Sequence, residues 1–476
     1  MFMETTSSSF LPSDAATILP ADLPGSAYGA DRDPPRPVAK SDRIQAIDLI
    51  RGLALLGILM MNIKNFGFVW SGFMTIVKNP ASTDFYTLAV VDTAFAGTMR
   101  ALFSMLFGAG MILFLTNKPE TESGPTVADY YYRRLLWLVL FGVFNAYILL
   151  WPGDILYFYG LCGMLLYPFR RLKPGWLVVM ALVCIGANYL RNDLWYSNMR
   201  ENRAGYLEAV KLEKAHKKPT AKQLAAKTAW EKFQKNFKPD PKREAKLIKE
   251  RRSDYGTVFT SLIPNNSGSE SWGVYFGSWD MLSMMFLGMA LLGWGFFSNK
   301  LPTSTYATTL LIGYGLGFPL SWFFFQSSFV DWLQDAGKVI DTYRVDPFQL
   351  YDVRRALLAL GHASLLLLIY RSGVVPWLMK SLTAVGQMAF TNYLMQSIIC
   401  TLFFHGYGLG YYGKLAYHEL YYVVAGIWVF QLIVSPIWLN FFRFGPFEWL
   451  WRSLTYWKPQ PMRIRKNTEP ETVAGS

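Results

Sequence analysis

The apolar stretch from Arg43 to Asn62, RIQAIDLIRGLALLGILMMN, carries Asp48, Arg51 and Asn62, and Asn65 follows three residues on. Asp48 to Asn62 is fourteen residues and Arg51 to Asn62 is eleven, both close to whole numbers of helical turns. The four polar side chains therefore share one stripe of a greasy helix. Ionisable groups in such a helix are costly, and by default they face a bundle interior or an aqueous path. The stripe reads as the wall of a polar site. The plainer reading of Asp48 and Arg51 is an ion pair that anchors the helix at the lip of a membrane.

Other apolar stretches carry matching groups. Arg100, Asn145, Asp154, Asp280, Arg355 and His405 each stand at or near the end of an apolar run. Alternating the direction of successive spans brings them, with Asn62, into one outer layer. Buried polar groups need partners, so a layer this dense should line a shared outward-opening cavity. For Asp280 and Arg355, solvation at the outer surface is the competing expectation. A second set, Gln387, Thr391, Asn392 and Gln396 in GQMAFTNYLMQS, lies toward the other side with Glu448 and Arg452 of GPFEWLWRSL. With Asp48, Arg51, Arg133 and Arg134 it makes an inner cluster. Hydrogen bonding between helices is the plainer role for Gln387 and Thr391.

Composition sets the class. Hydrophobic residues are 52% of 476, aromatic residues 17% and charged residues 17%. Membrane-length apolar runs recur, which predicts an all-α, polytopic transmembrane helical bundle. The three cysteines, Cys162, Cys184 and Cys400, are too few and scattered for a disulfide framework or a zinc site. Four histidines and the lack of CxxC or HExxH patterns argue against a resident metal. The sequence also lacks Walker and GxSxG motifs, which argues against ATP hydrolysis and serine hydrolysis.

About ten spans are expected, near 45–66, 95–116, 132–150, 154–171, 174–190, 274–297, 305–328, 353–371, 383–404 and 421–442. Residues 84–94 either lengthen the second span or lie along the surface. Lys and Arg in the short loops (Lys118, Arg133, Arg134, Arg170, Arg171, Lys173, Lys300, Arg371, Lys380) and in the C-terminal tail fall on one side, so both termini are expected in the cytoplasm. The expected organisation is a disordered N-terminal tail over 1–42, a membrane half over 43–190, an outward loop over 191–272, a second membrane half over 273–457 and a tail over 458–476. The loop holds 18 Lys and Arg against 10 Asp and Glu, eight of the chain's thirteen net positive charges. Within it Thr220 and Gln223 have capping-box spacing, and Ala226, Trp230, Phe233 and Phe237 follow helical spacing. Residues 220–237 thus predict a basic amphipathic helix, lying on anionic lipid or packing its aromatics on the protein itself. Nucleic acid is not an expected partner; the bilayer is.

Five segments in this order carry a resemblance: RIQAIDLIRGLALLGILMMNI, RALFSMLFGAGMILF, RRLLWLVLFGVFNAYILLWPGDILYFYGLCGMLLYPFRR, GQMAFTNYLMQSIICTLFF and RFGPFEWLWRSLTYW. Over residues 43–457, outside the charged loop, the chain resembles the YeiB-like family, with its domain of unknown function 418. The resemblance implies a bacterial inner-membrane protein with a periplasmic or extracellular loop, and it brings no reaction with it.

The pattern of Arg43, Asp48, Arg51 and a polar residue at 62 is also similar to the first helix of membrane acyltransferases. Those enzymes use acyl-CoA to acylate sugars of the envelope or of lysosomal glycans, and typically carry a His at the last position. Here it is Asn62, which cannot act as a general base near neutral pH. Asn145 likewise stands where many YeiB-like sequences carry a His. On this resemblance His405 or Asp154 takes the base role, and Asn62 and Asn145 orient substrate or donate to an oxyanion. Arg51, Arg133 and Arg134 meet the phosphates of a cytoplasmic acyl-CoA, which is a substrate and not a tightly bound cofactor. Asp48, Arg100, Asp280, Asn392 and Gln396 complete the expected substrate-binding set, for a small-molecule or envelope-glycan acceptor. The alternatives are a transporter or flippase of a small polar or anionic solute, with Arg100 as the anion contact, and a scaffold or sensor acting through its charged loop.

Overall fold

The computed structural model describes residues 44–116, 125–237 and 239–464. The tail expected over 1–42, together with Arg43, Lys118 and residues 465–476, lies outside that description. Eighteen α-helices follow one another among the described residues. They are α1 (Gln45–Gly67), α2 (Trp70–Lys78), α3 (Thr83–Phe95), α4 (Thr98–Thr116), α5 (Val127–Tyr147), α6 (Leu156–Leu166), α7 (Pro174–Lys214), α8 (Ala221–Phe237) and α9 (Pro241–Arg251). Then come α10 (Tyr255–Gly268), α11 (Val274–Gly293), α12 (Thr303–Phe324), α13 (Asp331–Thr342), α14 (Tyr351–Ser372), α15 (Pro376–Gln387), α16 (Ala389–Phe404), α17 (Leu420–Phe441) and α18 (Pro446–Tyr456).

Among the described residues, seven helical stretches are long and apolar enough to cross a membrane: α1, α3–α4, α7, α10–α11, α12–α13, α14 with its lead-in turn, and α17. The apolar stretches Leu156–Phe169 and Ala389–Phe404 are shorter. The remaining expected span, 132–150, begins on α5, whose first turns carry Asp129, Arg133 and Arg134. Thr126 starts this helix with a capping box: its N–H donates to Asp129 at 2.7 Å and its hydroxyl accepts from the Asp129 N–H at 3.3 Å.

The core helices approach closely where glycine permits. Gly52 of α1 and Gly386 of α15 face each other's helices, and a Cβ at either would run into the Leu382 or Asp48 carbonyl. Gly108 of α4 and Gly288 of α11 meet the Met285 and Met105 backbones in the same way. Small residues at crossings let van der Waals packing hold helices together where lipid removes the hydrophobic drive between them. Residues 84–94 form α3, which runs into α4 through a bend at Gly97, where φ is +72°.

Two expected elements differ in form. The stretch 383–404 is not one helix: α15 ends at Gln387 and α16 starts at Ala389. The new N-terminus is satisfied by Glu448 of α18, which accepts from the Phe390 N–H at 2.6 Å and the Thr391 N–H at 3.0 Å. The segment 191–272 is almost entirely helical, and no boundary falls at its start. α7 continues to Lys214, 41 residues in all, or about 60 Å at the α-helical rise. α8 then returns along it, its first turn held by Thr220 and Gln223, whose reciprocal bonds measure 2.8 and 3.3 Å. The α8 aromatics turn onto the protein. Trp230 is fully buried with Tyr196 of α7 and Ile340 of α13, with Phe233 packed beside them; the Phe237 side chain lies outside the described residues. α9 and α10 then fold over one end of the bundle. Tyr255 donates to the Ile148 carbonyl at 2.8 Å, and Leu150, Val258 and Leu262 form a small core of their own.

Candidate functional site

Polar groups gather at two levels. The first lies near the start of α1, where Arg51 donates to Asp48 at 2.6 Å. Gly110 of α4 lies beside the Arg51 guanidinium, which is also near enough to Arg134 of α5 for the two charges to repel. Arg134 stacks over Trp451 of α18 at 3.8 Å, and Trp451 Nε1 donates to the Arg134 carbonyl at 2.8 Å. Arg133 donates to the Thr455 carbonyl at 3.3 Å. Of these three arginines Arg51 pairs with Asp48, Arg133 and Arg134 are held by carbonyl and aromatic contacts, and the carboxylate of Glu448 is taken up by α16.

The second level lies eleven residues along α1 at Asn62, eleven along α5 at Asn145, and ten back along α4 from Gly110 at Arg100. Each interval is about 15–17 Å of helix. Here Asn145, fully buried, donates to Asp154 Oδ1 at 2.8 Å, and the Tyr157 N–H donates to Asp154 Oδ2 at 2.9 Å. Tyr393 of α16 donates to Asp154 at 3.4 Å and accepts from the Ile155 N–H at 3.2 Å. Trp151 of the WPGD turn is buried and stacks on Phe66 of α1 at 3.8 Å between centroids.

Beside this group runs a charge network. Arg100 reaches Asp280 of α11 at 2.6 Å, Asp280 also pairs with Arg355 of α14, and Arg355 pairs with Asp352 at 2.7 Å. Asn188 of α7 donates to Asp352 at 2.8 Å. Asp280 is 8% exposed and Arg355 1%, so neither is solvated at the surface. Tyr159, five residues beyond Asp154, reaches α4: its hydroxyl lies 2.7 Å from Ser104 Oγ and donates to the Arg100 carbonyl at 3.4 Å.

The other expected site residues are placed as follows. Asn62 is half-buried with no hydrogen bond among the described residues, and Asn65 is exposed. Asn392 and Gln396 pack against α17: Asn392 donates to Ser435 at 3.0 Å, Gln396 to Gln431 at 3.0 Å, and Gln431 to the Asn392 carbonyl at 2.9 Å. Their amides are largely spent on joining two helices. His405 follows the last residue of α16, buried under Arg251, whose carbonyl accepts from the Gly406 N–H at 2.9 Å. Burial first, and the Arg251 charge second, push the His405 imidazole down to about 3, which leaves it a weak base.

Sequence reasoning missed Asp352, Asn188, Tyr393, Asn266 and Glu270. Asp352 stands three residues before Arg355, and Asn266 four before Glu270, both one-face helical spacings that could have marked them. Tyr393 and Asn188 gave no such signal, because their partners lie on distant helices.

Two family profiles match the chain. Residues 291–458 match the "Protein of unknown function (DUF418)" profile. Residues 43–208 match "Heparan-alpha-glucosaminide N-acetyltransferase, catalytic". The second stretch contains Asp48, Arg51, Asn62, Arg100, Arg133, Arg134, Asn145 and Asp154. Fold and matches together define a helical membrane protein of an uncharacterised family, similar over residues 43–208 to an acetyltransferase catalytic profile. The chain is 30% identical over 427 residues to the uncharacterised protein YeiB of Escherichia coli (strain K12), covering 87% of this chain and 96% of the relative. It is 29% identical over 453 residues to the uncharacterised protein YxaH of Bacillus subtilis (strain 168), covering 91% and 99%. The chain belongs to the YeiB-like family. No solved structure matches it.

Proposed function

We propose that this protein transfers an acyl group from acyl-CoA to an acceptor hydroxyl or amine. The observation that carries the reading is the spacing of the two polar levels, about 15 Å apart by helical rise, within the stretch that matches the acetyltransferase catalytic profile. Arg51, Arg133 and Arg134 bind the donor's phosphates, and an extended pantetheine arm is long enough to carry the thioester toward Asn62 and Asn145. The acceptor oxygen or nitrogen attacks the thioester carbonyl, Asp154 takes the acceptor's proton, and the carbon–sulfur bond breaks to release the CoA thiolate. The Asn62 and Asn145 amides orient the acceptor and donate to the oxyanion. In this reading the protein sits in the bacterial inner membrane, with both termini and the arginine level on the cytoplasmic side and a small-molecule or envelope-glycan acceptor on the other.

The test is thermal stabilisation of the purified protein by a series of acyl-CoAs, with Arg51→Ala as control, followed by mass spectrometry for acylated acceptors. A ligand that binds only the folded state raises its stability. A saturable shift lost in Arg51→Ala is expected. No shift in well-folded protein, or full binding by Arg51→Ala, overturns the donor site proposed here.

A further inference from the structure

The carboxylates of Asp154 and Glu270 are unusual in their company. Glu270 stands in the π-helical turn Ser269–Gly273 that joins α10 to α11. Such turns are rare and concentrate at functional sites. Tyr147 at the end of α5 faces the Glu270 carboxylate, and Glu270 and Asp154 are near enough to repel each other. Among the described residues no Lys, Arg or His pairs with either group. Asp154 is buried and Glu270 half-buried, and a carboxylate drawn even partly from water gains from a cationic partner.

The amides around them point the same way. The Asn145 amide N–H donates to Asp154, and its Oδ1 is left buried without a partner. Asn266, four residues before Glu270 and on the same helix face, is 1% exposed. It donates to the Ala146 carbonyl at 2.5 Å, and its Oδ1 is also buried and unpartnered. Glu270 Oε1 is a third such oxygen. The Ala146 bond holds Asn266 against the last turn of α5, the turn that carries Asn145.

We infer that Asn145, Asp154, Asn266 and Glu270 form a binding site for a small cation, either a metal ion or a primary ammonium group carried by a substrate. An oxygen-only, net-negative donor set suits hard cations, and an ammonium offers three N–H donors to the same oxygens. The inference does not depend on acyl transfer, and its test needs no acyl-CoA.

The experiment is thermal unfolding of the full-length protein in detergent, titrated with sodium, calcium or methylammonium chloride against choline chloride at matched ionic strength. A saturable rise with at least one small cation, absent with choline and lost or shifted at least tenfold in midpoint in Glu270→Gln, is expected. A response to sodium or calcium identifies an ion site, and a response to methylammonium alone identifies a substrate amine. Superimposable curves in all four salts overturn the site, as does an unchanged response in folded Glu270→Gln. If Glu270→Gln does not fold, Asn266→Leu takes its place with the same expectations.

Discussion

Glu448 holds Thr391 at both ends: its Oε1 accepts from the Thr391 backbone at 3.0 Å and its Oε2 from the Thr391 hydroxyl at 2.5 Å. The carboxylate serves as a cap supplied from another helix, letting α16 begin inside the bundle. Glu448→Ala leaves buried N–H groups unsatisfied and should destabilise the protein by about 3 kcal/mol or more. Thr391→Val removes the hydroxyl that donates to Glu448 and accepts from the Phe447 N–H at 3.1 Å, leaves the two backbone bonds to Glu448 in place, and should cost about 1–2 kcal/mol. Denaturant or thermal unfolding in detergent compares them, and equal costs would refute the cap.

The Asp280–Arg355 pair lies where neither charge reaches water. Removing one partner strands the other, so Asp280→Ala and Arg355→Ala should each destabilise by about 3–5 kcal/mol. An apolar pair, Asp280→Leu with Arg355→Met, should cost less than either single change. Unfolding midpoints of the three variants decide this. A double variant as weak as the sum of the singles would mean that the network contributes through more than its charges.

Arg133 and Arg134 are neighbours with different attachments. Arg134 stacks on Trp451, and Arg134→Ala should cost about 1–2 kcal/mol of stability through that lost contact. Arg133 donates to one carbonyl at 3.3 Å and lies more loosely over the Tyr130 and Trp457 rings, 5.7 Å from each centroid, so Arg133→Ala should cost less, about 1 kcal/mol or below. Under the acyl-transfer proposal both should weaken acyl-CoA affinity roughly tenfold or more, read by calorimetry or thermal shift.

His405 predicts an acid weakness. The folded protein holds its imidazole down from 6.5 to about 3, so the fold favours the neutral ring. The ring's contribution to stability is complete above about pH 6.5 and declines as pH falls toward 3, with a slope approaching about 1.4 kcal/mol per pH unit. His405→Gln should flatten that part of the pH–stability curve. An unchanged slope in the variant would assign the acid loss to groups other than this ring, since its neighbours Arg251 and Tyr407 do not titrate in that range.

Much of this arrangement was legible in the sequence, for reasons that differ by residue. Apolar run length located the seven stretches long enough to cross a membrane and the two shorter apolar ones among the described residues, because a span must cover the bilayer. The Asp48–Arg51 pair was visible as one helical turn. The Asn145–Asp154 bond joins residues only nine apart across the WPGD turn. Arg100, Asp280 and Arg355 could be assigned a common depth, but their mutual pairing depends on which helices are neighbours, which periodicity does not encode. The break at Gln387 was hidden because its cap comes from α18, about sixty residues downstream. The helical form of 191–272 was obscured by its charge, since a solvated helix lacks an apolar run. Glu270 was passed over as one acid among ten in that segment.

The long reach of α7 also governs where the chain tolerates length changes. Arg203 of α7 pairs with Asp341 of α13 at 2.8 Å, and Trp230 sits against Tyr196 and Ile340. These seats depend on the rotational phase of α7 as it leaves the bundle. One residue inserted between Arg191 and Arg203 turns everything beyond it by about 100° and unseats both contacts. Seven or eleven residues restore the phase but lift the arm by about 10 or 16 Å. The turn at 215–219, exposed and outside both helices, transmits neither rotation nor lift into the bundle. Epitope tags, fluorescent reporters and natural insertions belong there.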